Sequence, residues 1–258
     1  MVMEINGPGE CLDSFDFISR LSKGFAVGLH AKKDNTVNRN IALAIMLLLA
    51  FAISLSYAAS RFAVLPFDLK SYEELQEQAS PLFDRLMIGV SYLGELAIAM
   101  ALTAIAMATF ALRRQWLEAI FILATTSNVL LAFALKELVH RTRPFPVAQN
   151  ATGLIQSINQ YSYPSGHVLF FVVFFGFFTF LAWIHFTGHA RVIVIAVCLA
   201  LIVLIGPSRV FLGEHWASDV VGSYIIGAIW LFVLILTYRW ARRRKYHDPE
   251  INPHFRGG

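Results

Sequence analysis

The chain alternates long apolar runs with shorter polar connections. A helix needs about 20 consecutive apolar residues to cross a hydrocarbon core about 30 Å thick. Six runs approach or exceed that length, near residues 41–60, 86–112, 117–138, 167–186, 191–207 and 219–238. The pattern predicts an all-α polytopic membrane protein, with about six transmembrane helices forming one domain over residues 41–238. Residues 1–40 are expected to form a polar tail and residues 239–258 a basic one. Within the first tail, Phe15, Ile18, Leu21 and Phe25 recur at spacings of three and four beside Arg20 and Lys23. That spacing fits a short interfacial helix and fits a disordered tail equally well. The opening residues lack the basic start and apolar core of a signal peptide, so the first apolar run is expected to be retained.

Composition strengthens the membrane reading. Hydrophobic residues make up 57% and charged residues 15% of the 258, where soluble domains average about 25% charged. Mean hydropathy is +0.60. The net charge of +4 sits mostly in short segments beside the apolar runs. There it reads as membrane topology, not as a nucleic-acid-binding surface. Cys11 lies in the polar tail and Cys198 inside an apolar run, so no disulfide between them is expected.

Lysine and arginine in the connections set the orientation. Lys32, Lys33 and Arg39, then Arg113 and Arg114, then the C-terminal RWARRRK share one side if there are six spans. That side is expected to be cytoplasmic, with both termini on it, in a bacterial-type plasma (inner) membrane. Segments 61–85, 139–166 and 208–218 fall on the other side. The first is acidic on balance, with Glu73, Glu74, Glu77 and Asp84, but the others carry Arg141, Arg143 and Arg209. A cation kept against the charge bias points to a specific anionic partner.

Three clusters on that side carry chemistry. The first is Lys136 followed by Arg143-Pro144, at the outer end of the third run. Pro144 disfavours helix at Arg143, so the chain is expected to turn there. The second, Pro164-Ser165-Gly166-His167, immediately precedes the fourth run. A helix starting there offers backbone N–H groups and a positive dipole end to an anion. Gly166 permits close approach, and Ser165 adds a hydroxyl donor. The third is Ser208-Arg209, then His215 and Asp219. On a helix, positions four apart share a face, so Asp219 is expected to orient the His215 imidazole. Three cations with neutral donors suit the equatorial oxygens of a transferring phosphoryl group. Of two histidines, one can attack phosphorus and the other protonate the leaving oxygen. The residues alone leave open which does which, although the nearness of Asp219 favours His215 as the nucleophile.

The three clusters resemble the signature of the type 2 phosphatidic acid phosphatase superfamily: K-x6-RP, then PSGH, then SR-x5-H-x3-D. Here they read KELVHRTRP, PSGH and SRVFLGEHWASD, without departure at a fixed position. The resemblance implies a membrane lipid phosphatase with no metal and no other cofactor. His215 would form a transient phosphohistidine, Asp219 would hold it, and His167 would be the general acid. Lys136, Arg143, Ser165, Gly166 and Arg209 would grip the phosphate. The partners implied are the bilayer and a lipid phosphate substrate: a polyprenyl diphosphate, phosphatidylglycerophosphate, phosphatidate or a lipid A phosphate. The alternatives are a phosphotransferase using another acceptor, a non-enzymatic lipid transporter of the same fold and, by family kinship, a vanadium-dependent oxidase, which the many apolar spans argue against. His215 and Asp219 are also possible metal ligands, a reading that the surrounding cations oppose.

Other residues carry lesser expectations. His140 and Arg141 read as loop residues outside the site. The phenylalanines of FFVVFFGFF read as packing or lipid-facing. Glu95, within the second run, is expected to hydrogen-bond across to Asn128 or a nearby threonine at similar depth, with a proton relay or lipid-headgroup contact as the functional alternative for an intramembrane acid. Asn150-Ala151-Thr152 matches a glycosylation sequon.

Overall fold

The structure, a computed structural model, describes residues 35–144 and 161–247. The expected interfacial helix around residues 15–25, the sequon and the end of the basic tail lie outside the described residues. The chain divides into two compact units, Met1–Phe51 and Ala52–Gly258. Helix α1 (Asn35–Arg61) supplies the described part of the first unit and opens the second.

Nine further α-helices follow among the described residues. They are α2 (Pro66–Glu77), α3 (Pro81–Tyr92), α4 (Leu96–Leu112), α5 (Trp116–Ala124), α6 (Asn128–Val139), α7 (Gly166–Phe170), α8 (Gly176–His185), α9 (Gly188–Phe211) and α10 (Ala217–His247). A 3-10 turn, Thr125–Ser127, joins α5 to α6, and a π-helical turn, Phe171–Phe175, joins α7 to α8. Five stretches are long and apolar enough to cross a membrane: Ala42–Arg61, Trp116–Val139, Gly166–His185, Gly188–Phe211 and Ala217–Lys245. The pair α3 and α4, bent by 63°, makes a sixth if it counts as one span.

That bend corrects the continuous helix expected over 86–112. The element starts earlier, where Ser80 Oγ accepts from Phe83 N at 3.3 Å and Pro81 begins the helix. It then stops at Tyr92. Gly94 and Glu95 close tight turns back to Ser91 O and Tyr92 O, and Glu95 itself is extended. Hydropathy reads Leu93 and its neighbours as one apolar run, but Gly94-Glu95 are the residues that let the chain leave the helix.

The stretch that begins with PSGH forms the centre of the bundle. Val168, Leu169, Phe171, Val173, Phe177 and Leu181 are fully buried. Lipid tails are as apolar as these side chains, so what they contribute inside a bilayer is close van der Waals packing between helices. The phenylalanines pack on one another and on neighbouring helices, as in the stacked Phe170–Phe174 pair with centroids 5.0 Å apart. The outer surface is apolar instead of charged, with Ile105, Leu130, Val192 and Val203 exposed. An apolar outside is what a bilayer requires of a helical bundle.

Close backbone approach also matters at the end where the motifs lie. A Cβ on Gly222 would stand 2.5 Å from the Tyr163 hydroxyl oxygen and 2.6 Å from Cε2 of its ring. Glycine there lets α10 press against the fully buried Tyr163, whose hydroxyl is 2.8 Å from Ser56 Oγ. This contact fixes the segment leading into Pro164 and His167.

Candidate active site

Four local structures converge at one end of the bundle. Lys136 sits in the last turn of α6, 2% exposed, and its Nζ donates to Tyr161 O at 2.6 Å. His140 then takes a left-handed conformation and ends the helix. The chain turns into a short extended segment in which Thr142 bridges Tyr161 and Ser162 N donates to Arg141 O at 2.8 Å. This bridge brings Arg143 alongside the residues that lead into PSGH.

Ser165 takes the non-helical conformation of an N-cap residue before α7, and its backbone N–H donates to Ser223 Oγ at 2.7 Å. Its own hydroxyl makes no cap bond. Gly166 faces open space: a Cβ there would meet nothing within 4 Å. Gly94 is different, since a Cβ on it would stand 2.3 Å from Cδ2 of His167. The α3–α4 bend therefore packs its backbone directly against the His167 ring.

In the third cluster, Ser208 Oγ donates to Met87 O at 2.6 Å and Arg209 Nη1 donates to Ser91 Oγ. The two bonds tie the end of α9 to α3. His215 does not lie on the helix with Asp219, because α10 begins only at Ala217. The expected His–Asp hydrogen bond is accordingly not made. The nearest Asp219 oxygen, Oδ2, is 3.8 Å from His215 Nδ1, while Ser162 O is 2.7 Å from it. A carbonyl can only accept, so Nδ1 carries the proton and the lone pair resides on Nε2. Burial, and after it the positive charges of Arg143, Arg209 and Lys136, hold the 2%-exposed His215 imidazole well below the ordinary histidine value of 6.5.

Asp219 is instead fixed by other donors. Trp216 N donates to Oδ2 at 2.9 Å, and Arg141 Nη1 donates to Oδ1 at 2.5 Å. Arg141 was expected to be an ordinary loop residue, yet it is buried and central. Its Nη2 donates to Asp68 Oδ2 at 2.7 Å, its Nη1 also to Ser218 Oγ at 2.6 Å, and its Nε to Ala63 O at 3.2 Å. Asp68 completes the network by accepting from Ser218 N at 2.8 Å. Sequence did carry a signal for Arg141, as a cation standing against the charge bias. Asp68 had none beyond lying in an acidic connection.

Glu95 also departs from expectation. Asn128 Nδ2 donates to Thr125 O at 2.6 Å, within its own chain turn. The bend instead carries Glu95 to the site, where Oε1 lies 3.7 Å from His167 Nε2. Glu214 is a further acid among the cations: Arg143 Nη1 donates to its Oε2 at 2.6 Å. His140 remains a loop residue, packed edge-on against Tyr161.

Among the described residues seven buried side-chain atoms have no hydrogen-bond partner, and four of them, Ser165 Oγ, His167 Nε2, Arg143 Nε and Arg209 Nε, lie in the motifs; the others are Asp84 Oδ1, Thr179 Oγ1 and His185 Nε2. Leaving buried polar atoms unpaired is costly, and their concentration here suits a guest rich in acceptor oxygens. With Lys136 and two guanidiniums nearby, that guest is an anion.

The comparisons with known proteins agree on the family. Residues 117–244 match the PAP2 superfamily. Phosphatidylglycerophosphatase B of Bacillus subtilis (strain 168) is 27% identical over 157 residues, covering 60% of this chain and 74% of that protein. The solved transmembrane PAP2 type phosphatidylglycerolphosphate phosphatase from Bacillus subtilis superposes with a TM-score of 0.64 at 25% identity. That match covers 76% of this chain and 96% of the other. Aquifex aeolicus LpxE, at 20% identity and a TM-score of 0.50 over 67% of this chain and 96% of its own, shares the fold.

The geometry generates two expectations. Arg141→Met leaves Asp68 and Asp219 as buried carboxylates without their cation, so thermal unfolding in detergent should show a loss of about 3–5 kcal/mol. An unchanged midpoint would contradict the bridging role. His215 supplies the second. The unfolded chain takes up a proton near 6.5 and the folded chain does so only at much lower pH. Stability is therefore lost as pH falls below about 6.5, and His215→Gln should flatten that part of the midpoint-against-pH curve.

Proposed function

The chain belongs to the PAP2 superfamily, and from that premise we propose that it hydrolyses a lipid phosphate monoester or diphosphate through a phosphohistidine at His215. One observation carries the reading. A buried imidazole with Nδ1 on a backbone carbonyl, surrounded by Lys136, Arg143 and Arg209, is a neutral nucleophile inside an anion site.

The chemistry divides as follows. Lys136, Arg143, Arg209 and Ser165 Oγ hold the non-bridging oxygens, and Gly166 leaves the backbone open to them. The Nε2 lone pair of His215 attacks phosphorus. The P–O bond to the lipid breaks, and His167 gives its proton to the leaving oxygen. His167, now neutral, takes a proton from water, whose oxygen attacks phosphorus. The P–N bond breaks, phosphate leaves and His215 returns to its neutral form. Asp219, near Nδ1 but bound to Arg141, offsets the positive charge that develops on the imidazole. A cluster of fixed cations repels a divalent metal, so no metal step enters.

The substrate is lipidic because the motif residues lie at the end of a bundle whose outside is apolar. Phosphatidylglycerophosphate heads the panel, since both Bacillus subtilis relatives are named for it. We assign the catalytic domain to residues 41–238, the tails 1–40 and 239–258 to the cytoplasmic side, and the site to the opposite side of a plasma membrane. The Lys/Arg distribution supports that orientation.

Phosphate release from lipid mono- and diphosphates in detergent with EDTA tests the reaction. Release should persist with chelator, vanish in His215→Ala, and fall about a hundred- to ten-thousand-fold in His167→Ala. Loss of activity with EDTA, or a fully active His215→Ala, would overturn the mechanism. Orientation is tested by a reporter at the C-terminus that is active only in the cytoplasm. Activity is expected, and a signal only from a non-cytoplasmic reporter would invert the topology.

A further inference from the structure

Glu214 precedes the proposed nucleophile and touches both arginines of the phosphate site. Its Oε2 accepts from Arg143 Nη1 at 2.6 Å and lies 3.3 Å from Arg209 Nη2. One carboxylate oxygen thus bridges two guanidiniums, as a phosphate oxygen does in charge-assisted recognition. The three side chains differ in freedom. Those of Arg143 and Arg209 are 9% and 6% exposed, and that of Glu214 is 35% exposed. Arg209 is also anchored through Nη1 on Ser91 Oγ. The Glu214 backbone is fixed independently, by its N–H on Arg209 O at 3.2 Å and its carbonyl near Arg143 Nη1 at 3.3 Å. The carboxylate is therefore the partner that can leave, swinging toward water without moving the backbone that carries His215.

We propose that the Glu214 carboxylate competes with the substrate's phosphoryl group for Arg143 and Arg209, so that a phosphate anion enters by displacing it. This deepens the phosphatase reading and rests on it. A phosphate dianion and a carboxylate at hydrogen-bond distance from the same guanidinium repel one another, so the two do not share the pair. A lipid phosphate carries further binding energy in its chains, which stay in contact with apolar helices, and can meet the cost of displacement. Inorganic phosphate has no such reserve. Glu214 accordingly selects phosphates anchored in the membrane over soluble anions and favours departure of the inorganic product. If the carboxylate holds the pair in about nine molecules of ten, apparent anion affinity is about tenfold below the intrinsic value.

The test is competitive inhibition by inorganic phosphate and by vanadate of the wild type, Glu214→Gln and Glu214→Ala in detergent. The rise in thermal midpoint that each anion produces gives a reading independent of turnover. Both variants are expected to bind both anions about tenfold more tightly than the wild type. Variants that bind equally or more weakly overturn the proposal and make Glu214 a brace for the arginines. Loss of fold in both variants, seen as a collapsed midpoint without ligand, overturns it in the same way. A wild type that releases phosphate from no lipid and responds to neither anion overturns the phosphatase reading instead.

Discussion

The Arg141 guanidinium is buried between two carboxylates, and the geometry of the site depends on it. It joins the connection after α6 to Asp68 on α2 and to Ser218 and Asp219 at the start of α10. Without this cation, Asp68 and Asp219 would be two buried negative charges linked through Ser218. Burying an ion trio costs much of what its attractions return, so the arrangement adds little to net stability. Its effect is positional. It fixes the short extended segment from which Thr142 bridges Tyr161 and Arg143 approaches Glu214, and it fixes the helix start beneath His215.

The six apolar runs were legible because a bilayer sets a minimum length for a spanning helix, and composition reports that length directly. The break at Leu93–Glu95 was not legible from hydropathy, since one glycine and one acid hardly change an average. Their effect depends on what packs there, namely the His167 ring against Gly94. The motif residues were legible because their spacing is fixed, and the fold brings Lys136, Arg143, Ser165, Gly166, His167, Arg209, His215 and Asp219 to one end of the bundle. The hydrogen bond that orients His215 was out of reach. Its acceptor is the Ser162 backbone carbonyl, which every residue type possesses. A spacing of four also suggested a shared helical face for His215 and Asp219, and this fails because the helix begins between them, at Ala217.

Arg141 illustrates an intermediate case. As a cation on the side where cations are scarce, it implied an anionic partner, but nothing identified that partner as Asp68, 73 residues earlier in the chain. Glu214 was hidden for a different reason. It stands at a position that the third motif leaves unspecified, where its charge becomes meaningful only once Arg143 is brought beside it. Long-range pairs of this kind are created by the fold, which brings Arg143 and Arg209 onto one Glu214 carboxylate.

The central claim is that His215 becomes covalently phosphorylated. Rapid quenching of turnover with a lipid substrate labelled in its phosphoryl group, followed by peptide mapping, tests it most directly. An acid-labile, alkali-stable label on the peptide containing His215 is the predicted result. Turnover with no label on that peptide, or a label confined to the peptide containing His167, would contradict the account.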